Sequence, residues 1–311
     1  MLISVRDLVY EFPGHRALDR VSFNIAPGTV TTLVGPNGTG KTTLLRCLAA
    51  LEMPFAGRVV IAGFDTATDP RAVHRLVGYL PDFFGVYAEL TVRRCLVHHA
   101  AARGVPSSAI EGRIVAAAAD VGLGALLDSV AGTLSRGQRQ RLAIAQAMVH
   151  APALLLLDEP AAGLDPEARG DLSALVRRLA AGGTTVVVSS HILTELEDYS
   201  THVLMMEGSR VVAHGVLAEL RASPVVHMIV RVARSDGRLT ELLRDAGATD
   251  IRAESDLEFR FGLADSEAAR AALLRQLVVA GLEVSEFAVL RQSMQDVYVA
   301  TLRGARGGPL R

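Results

Sequence analysis

Apolar positions along the chain follow two periods that take turns. Residues 2–9, 20–26 and 29–34 alternate or cluster apolar side chains as strands do, and short apolar runs recur at 77–80, 153–157, 184–189, 202–206 and 210–213. Helical spacing fills the gaps at 42–51, at 69–76, from the Leu134-Ser135-Arg136-Gly137-Gln138 stretch to about 150, and from the turn at 162–166 to 181. A hairpin-like stretch is expected around Gly57–Ile61, and Tyr10-Glu11-Phe12-Pro13-Gly14 reads as a turn carrying two aromatic rings. This rhythm predicts an α/β fold. It is interrupted by alanine-rich helices at Thr91–Arg103 and Ser107–Val121, with Thr91 and Ser107 as expected N-caps, so an inserted helical subdomain is expected over about 84–150.

Near Ser223-Pro224 the character changes. Strands are expected at 225–234, 249–253, 257–262 and 284–290. Helices are expected at Leu239–Ala246, at Ser266–Ala280 with Asp265 as its cap, and from Ser293. The expected organisation is a large domain over 1–222, a small C-terminal α+β domain over 223–303, and a disordered tail over 304–311 containing Gly-Gly-Pro. No internal repeat is visible.

Composition narrows the class. Half of the 311 residues are hydrophobic, enough for a sizeable core, and the formal net charge of −1 carries no overall basic footprint for nucleic acid. Cys47 and Cys95 lie far apart with no C-x-x-C spacing, so small buried side chains in a reducing compartment are expected. No window approaches eighteen uninterrupted apolar residues, and the N-terminus lacks a basic-then-apolar layout, so a cytoplasmic protein without a membrane span is expected. His98 and His99 are adjacent, point to different helix faces, and are not expected to share a metal.

The chemistry begins at Gly35-Pro36-Asn37-Gly38-Thr39-Gly40-Lys41-Thr42, a G-x-x-x-x-G-K-T motif after an apolar run and before a helix starting near Thr43. That context is what a phosphate-binding P-loop requires. Glycines let backbone N–H groups turn inward around an anion, and the helix adds the positive end of its dipole. Lys41, the only lysine in the chain, supplies full positive charge for the β- and γ-phosphates, and the Thr42 hydroxyl suits Mg²⁺. The run Ala153–Leu157 ends in Asp158-Glu159, where the carboxyl end of a central strand would meet a ligand. Asp158 is placed to hold Mg²⁺, directly or through water, and Glu159 to orient or deprotonate a water attacking the γ-phosphate. His191 also ends a strand and can reach the same phosphate. Tyr10 and Phe12 each offer a ring that could stack on a base or pack on a sheet edge.

With these motifs in order, the chain resembles the ATP-binding subunits of ABC transporters over about residues 2–220. Gly35–Thr42 resembles the Walker A loop, and Leu134-Ser135-Arg136-Gly137-Gln138 the LSGGQ signature. Leu154–Asp158 resembles Walker B with Glu159 at the catalytic glutamate, Ala162-Gly163-Leu164-Asp165 the D-loop, and His191 the switch histidine. Phe12 matches the adenine-stacking aromatic better than Tyr10 does.

The resemblance implies a P-loop ATPase core that binds ATP and Mg²⁺. It implies closure head to tail on a second ATPase subunit, as a homodimer or heterodimer. Lys41 of one subunit would face Ser135 and Gly137 of the other across each nucleotide, with Gln138 and Asp165 nearby. It also implies an integral membrane permease as partner, peripheral attachment at the cytoplasmic face through that permease, and no nucleic acid.

Two positions depart from the family pattern. Asp82 stands where glutamine is usual and, when ionised, can favour Mg²⁺ but cannot donate a hydrogen bond; a role mainly in coupling is expected. Arg136 replaces a signature glycine, and a solvated side chain leaving the helix start is expected over a cation near the partner's ATP. The Pro81-Asp82 pair and the Ser-Arg-Gly signature resemble the branch serving ABC-2-type exporters, as does Ser293-Met294-Gln295-Asp296-Val297-Tyr298 in the C-terminal extension. A non-transport ATPase acting on ribosomes or DNA is the alternative; a single cassette without sustained heptads disfavours it.

Overall fold

A computed structural model describes residues 1–190, 198–221 and 225–290. Its strands are β1 (Ile3–Phe12), β2 (His15–Ile25), β3 (Val30–Val34), β4 (Ala56–Ile61), β5 (Phe64–Asp65), β6 (Val77–Leu80), β7 (Leu154–Asp158), β8 (Thr185–Ser190), β9 (His202–Glu207), β10 (Arg210–Val216), β11 (Val225–Val232), β12 (Thr249–Ala253), β13 (Glu258–Ala264) and β14 (Val284–Leu290). The helices are α1 (Lys41–Leu48), α2 (Pro70–Leu76), α3 (Val92–Ala102), α4 (Ser107–Asp120), α5 (Arg136–Met148), α6 (Pro166–Ala181), α7 (Leu217–Arg221), α8 (Leu239–Asp245) and α9 (Glu267–Val279). The chain forms two compact units, one from Met1 to Leu217 and one beginning at Ala218.

In the first unit, β6, β7, β8, β3 and β9 pair in parallel, with β10 antiparallel on the edge. Strands β3, β7 and β8 are buried along their whole length, which is why they read as continuous apolar runs rather than alternating ones. Each leucine buried in β7 contributes about 1.5–3 kcal/mol. A second, antiparallel sheet runs β2-β1-β4-β5. One apolar cluster joins the two sheets through α1: Leu44, Leu45 and Leu48 pack with Val5, Leu18 and Ile61 of the antiparallel sheet and with Leu33, Leu156 and Leu204 of the parallel one. Helix α1 is therefore buried on several sides, and the loop preceding it is fixed at the carboxyl end of β3. Helices α3, α4 and α5 pack on one another, and α5 also meets β6.

The second unit runs strand, helix, strand, strand, helix, strand, with sheet order β12-β13-β11-β14, all antiparallel. This is the split β-α-β arrangement. Its core gathers Met228, Val230, Phe261 and Leu263 from the sheet with Leu243, Leu273 and Leu277 from the helices.

Several local expectations are corrected. Tyr10 and Phe12 are strand residues, and the turn is only Pro13-Gly14; the cross-strand partners Tyr10↔Leu18 and Phe12↔His15 carry the pairing to the end of the hairpin. Ser107 is the first residue of α4, after Pro106 as N-cap, because Pro106 is extended and its carbonyl accepts from the Ala109 N–H at 2.8 Å. Ser266 rather than Asp265 caps α9: its hydroxyl accepts from the Ala269 N–H, while Asp265 pairs with Arg270 at 2.8 Å. Thr91 caps α3 as expected. Both cysteines are buried and free, and burial raises the Cys47 thiol to about 12. The stretch from Ser293 and the tail 304–311 lie outside the described residues.

His150, in the link from α5 to β7, has its Nε2 3.2 Å from the Val77 carbonyl, while its Nδ1 is buried without a hydrogen-bond partner. Burial, with Arg103 nearby, pulls its pKa from 6.5 down to about 4. The folded ring thus stays neutral where the unfolded ring takes a proton. Its contribution to stability is complete above about pH 6.5 and is lost as pH falls toward about 4. Unfolding midpoints measured across that window should fall with acid in the native protein and fall less steeply in His150→Gln.

Candidate nucleotide site at the carboxyl end of the parallel sheet

The Gly35–Gly40 loop joins β3 to α1 and is closed on one carbonyl. Thr39 donates its hydroxyl (2.9 Å) and its N–H (3.4 Å) to the Pro36 oxygen. Gly40, the N-cap of α1, has φ 96°, and a Cβ there would strike the Ala17 carbonyl and the Leu18 side chain of β2. Only glycine meets both demands. It also brings no side chain to cap α1, so the first-turn N–H groups are left for a ligand.

Lys41 is buried, at 7% exposure, and its ammonium donates to the carbonyls of Gly35 (2.7 Å) and Pro36 (3.1 Å). An ammonium has three donors, so one remains for an anion in the loop. Burial lowers its pKa, and the carboxylates of Glu159 and Asp158 oppose that shift. The lone lysine, the loop and the two acids therefore share one electrostatic environment.

The acids are placed by strand register. Asp158 of β7 lies opposite Ser189 of β8. The Ser189 hydroxyl donates to Asp158 Oδ1 at 2.6 Å and accepts from the Glu159 N–H at 3.0 Å. The same N–H lies 3.2 Å from the Ser189 carbonyl. Glu159 sits at φ 48°, in the left-handed region, and this double contact with Ser189 holds it there. Ser189 is a site residue that the motifs did not single out; its place at the end of an apolar run was visible in the sequence, but the pairing of that strand with the one ending in Asp158 was not.

Asp158 is 1% exposed, and its Oδ2 is buried without a hydrogen-bond partner. Burial raises its pKa, the Ser189 and Thr42 hydroxyls oppose this, and the charges of Asp82 and Glu159 add to the rise. Leaving such an oxygen unmatched costs about 1–3 kcal/mol. A hard divalent cation beside Thr42 would match it. Among the described residues no group of three or more His, Cys, Asp or Glu forms a self-sufficient metal cluster. Mg²⁺ does not need one, since one or two protein oxygens suffice when phosphates and water complete its shell.

The other residues singled out in the sequence surround this centre. Asp82, beyond β6, lines a cavity of about 270 Å³ with Phe83, Arg136, Arg139 and Glu159. Phe12 is 46% exposed and meets Tyr10 edge-on at 5.0 Å, while the Tyr10 hydroxyl is committed to Glu52 at 2.7 Å. Tyr10 is thus anchored, while Phe12 keeps a partly exposed ring. Ser135 and Gln138 form a capping box at the start of α5: the Ser135 hydroxyl accepts from the Gln138 N–H at 3.2 Å, and the Gln138 side chain accepts from the Ser135 N–H at 2.9 Å. Asp165 caps α6 by accepting from the Ala168 N–H at 2.8 Å. His191 lies outside the described residues.

A glycine-rich strand-to-helix loop holding a lysine, with two consecutive acids at the end of another strand of the same parallel sheet, defines a P-loop ATPase. The ABC transporter family model matches residues 18–162. The chain is 32% identical over 91% of its length to the daunorubicin resistance ATP-binding protein DrrA3 of Streptomyces coeruleorubidus, covering 90% of that protein. It is 31% identical over 96% of its length to the daunorubicin/doxorubicin resistance ATP-binding protein DrrA of Streptomyces peucetius, covering 91% of it. A solved ATP-binding subunit of an ABC transporter superposes with a TM-score of 0.65 at 31% identity, over 71% of this chain and 92% of that one. The chain belongs to the ABC transporter family as an ATP-binding subunit, and it binds and hydrolyses ATP. This sets aside the non-transport alternative. Among the described residues, no helix is long and apolar enough to cross a membrane.

Ser189→Ala should remove the hydroxyl that serves both acids. A stability loss of about 1–3 kcal/mol in denaturant unfolding is expected, together with a fall in kcat for ATP hydrolysis.

Proposed function

We propose that this subunit powers export through a separate integral membrane permease, by closing head to tail with a second ATPase subunit on two Mg-ATP and reopening after hydrolysis. The observation that carries the site assignment is Asp158: one oxygen is fixed by Ser189, and the other is buried and unmatched near Thr42. In this reading the N–H groups of Gly35–Thr43 and the Lys41 ammonium hold the phosphates, and the Phe12 ring stacks on adenine. Mg²⁺ at Thr42 and Asp158, with Asp82 near, would neutralise charge developing on the β- and γ-phosphates. Glu159 takes the proton of the attacking water, and His191 meets the γ-phosphate. Ser135, Gly137, Gln138 and Asp165 face the partner subunit's nucleotide. The γ-phosphate would then hold the two subunits together, and its loss would release them.

Export is favoured over import because the two relatives above are named for drug resistance. A protein partner is supported by large apolar side chains left in solvent on the ATPase unit, with Met53 75%, Phe55 74% and Phe83 91% exposed. The reading divides the chain into an ATPase domain over 1–222, with its helical subdomain at about 84–150, and an accessory α+β domain over 223–303. The boundary of the compact units at Leu217 supports that division.

Glu159→Gln should bind nucleotide normally, lose about 10²- to 10⁴-fold in kcat, and sediment as a dimer with Mg-ATP. Lys41→Ala should lose nucleotide binding. A Glu159→Gln protein that hydrolyses at the native rate, or stays monomeric with Mg-ATP, contradicts the assignment. Asp82→Ala should keep Mg-ATP binding by the isolated protein, measured with a fluorescent nucleotide; loss of binding would place Asp82 in the nucleotide site rather than in coupling.

A further inference from the structure

Arg136 is solvent-exposed at the start of α5, as its position in the sequence suggested, but it also has a neighbour the sequence did not show. The side chain is exposed, yet its guanidinium lies over Gly163, where a Cβ would fall directly on it. Gly163 has φ 70°, so its backbone calls for glycine there, while the overlap of a Cβ would be with the movable end of the arginine. The contact continues along the two helices. A Cβ at Gly137 would sit 3.8 Å from Ala168 Cβ and 4.0 Å from Leu164 Cδ2, and Arg141 Nη1 lies 3.8 Å from Asp171 Oδ2. The first turns of α5 thus run along the loop 162–165 and the start of α6 in the same subunit.

That loop is closed on itself and on Glu159. The Ala162 N–H donates to the Glu159 carbonyl at 3.1 Å, the Leu164 N–H to the Ala161 carbonyl at 3.2 Å, and Asp165 caps α6. A displacement at Gly163 reaches the Glu159 backbone through one residue and one hydrogen bond. Arg136 and Glu159 also line the same cavity, with Arg139 and Asp82.

We propose that Arg136 is a positioning residue: through Gly163 it sets the placement of Glu159 in its own subunit according to what the Ser135–Gln138 segment binds. This rests on the reading above, in which that segment meets the partner's nucleotide and Glu159 is the base. In a head-to-tail dimer it makes each base responsive to the nucleotide at the other site, so hydrolysis is cooperative in ATP.

The test uses the full chain with Arg136→Ala, Arg136→Lys, Gly163→Ala and the double variant Arg136→Ala/Gly163→Ala. Arg136→Ala should lower kcat about 10-fold with the Kd for nucleotide unchanged, bring the Hill coefficient toward one, and speed amide exchange at Ala162, Gly163 and Leu164. Arg136→Lys should recover part of each effect. The strain of a side chain at φ 70° is common to both arms of the 136/163 cycle, so a coupling of at least about 3-fold in kcat shows that the guanidinium occupies the space over position 163 during turnover. If Gly163→Ala fails to fold, the exchange rates of the Arg136 variants decide. Unchanged exchange at 162–164, or additive effects in the cycle, overturn the proposal. Amide exchange does not depend on which group is the base. A Glu159→Gln protein with native activity would therefore remove the base assignment, while the exchange result still decides whether Arg136 holds the loop.

Discussion

The hydroxyl of Ser189 is the contact on which the acidic half of the site depends. It holds Asp158 by one oxygen and Glu159 by its backbone, and it can do so only because β7 and β8 pair in parallel with Asp158 opposite Ser189. That pairing is fixed by burial, since both strands are enclosed along their length. A slip of one residue would carry the buried Asp158 out of line with the buried Ser189 and leave both without their partner. The apolar core and the placement of the acids are therefore one constraint. The strands stay in register because their side chains are buried, and the register delivers two carboxyl groups to the end of the sheet.

The basic half is fixed by a different route. Helix α1 is clamped between two sheets by Leu44, Leu45 and Leu48, and Gly40 lets β2 press against the loop before it. Lys41 is drawn into the loop by two carbonyls and faces the acids' field from there. An ammonium so buried keeps its charge through neighbours of opposite sign. The Asp158 oxygen without a partner is the incomplete point of this network, and it lies where Mg-nucleotide chemistry would complete it.

Much of this was legible before any coordinates. Buried strands, the phosphate loop and Asp158-Glu159 each leave a local pattern, because burial and backbone geometry restrict the residues allowed at successive positions. The α/β core and the α+β character of the second unit followed from the same patterns. Pairing did not: periodicity marks a strand but says nothing of its neighbours, so the separate antiparallel sheet and the order β12-β13-β11-β14 were not readable. Ser189 was missed for that reason, since its role lies in facing Asp158 across a strand pair. The proximity of the exposed Arg136 to Gly163 was not foreseen, because Gly163 is 27 positions away and offers no side chain to suggest a contact. The caps of α4 and α9 were each off by one residue, where adjacent polar or proline residues compete for one role.

In the proposed function, the nucleotide-driven cycle of this chain serves a membrane partner. Co-purification of Glu159→Gln from its native host tests this most directly, with membranes solubilised in the presence of Mg-ATP. A polytopic membrane protein in stoichiometric amount is the predicted companion. Ribosomes, DNA-bound proteins, or the absence of any membrane protein would contradict the account.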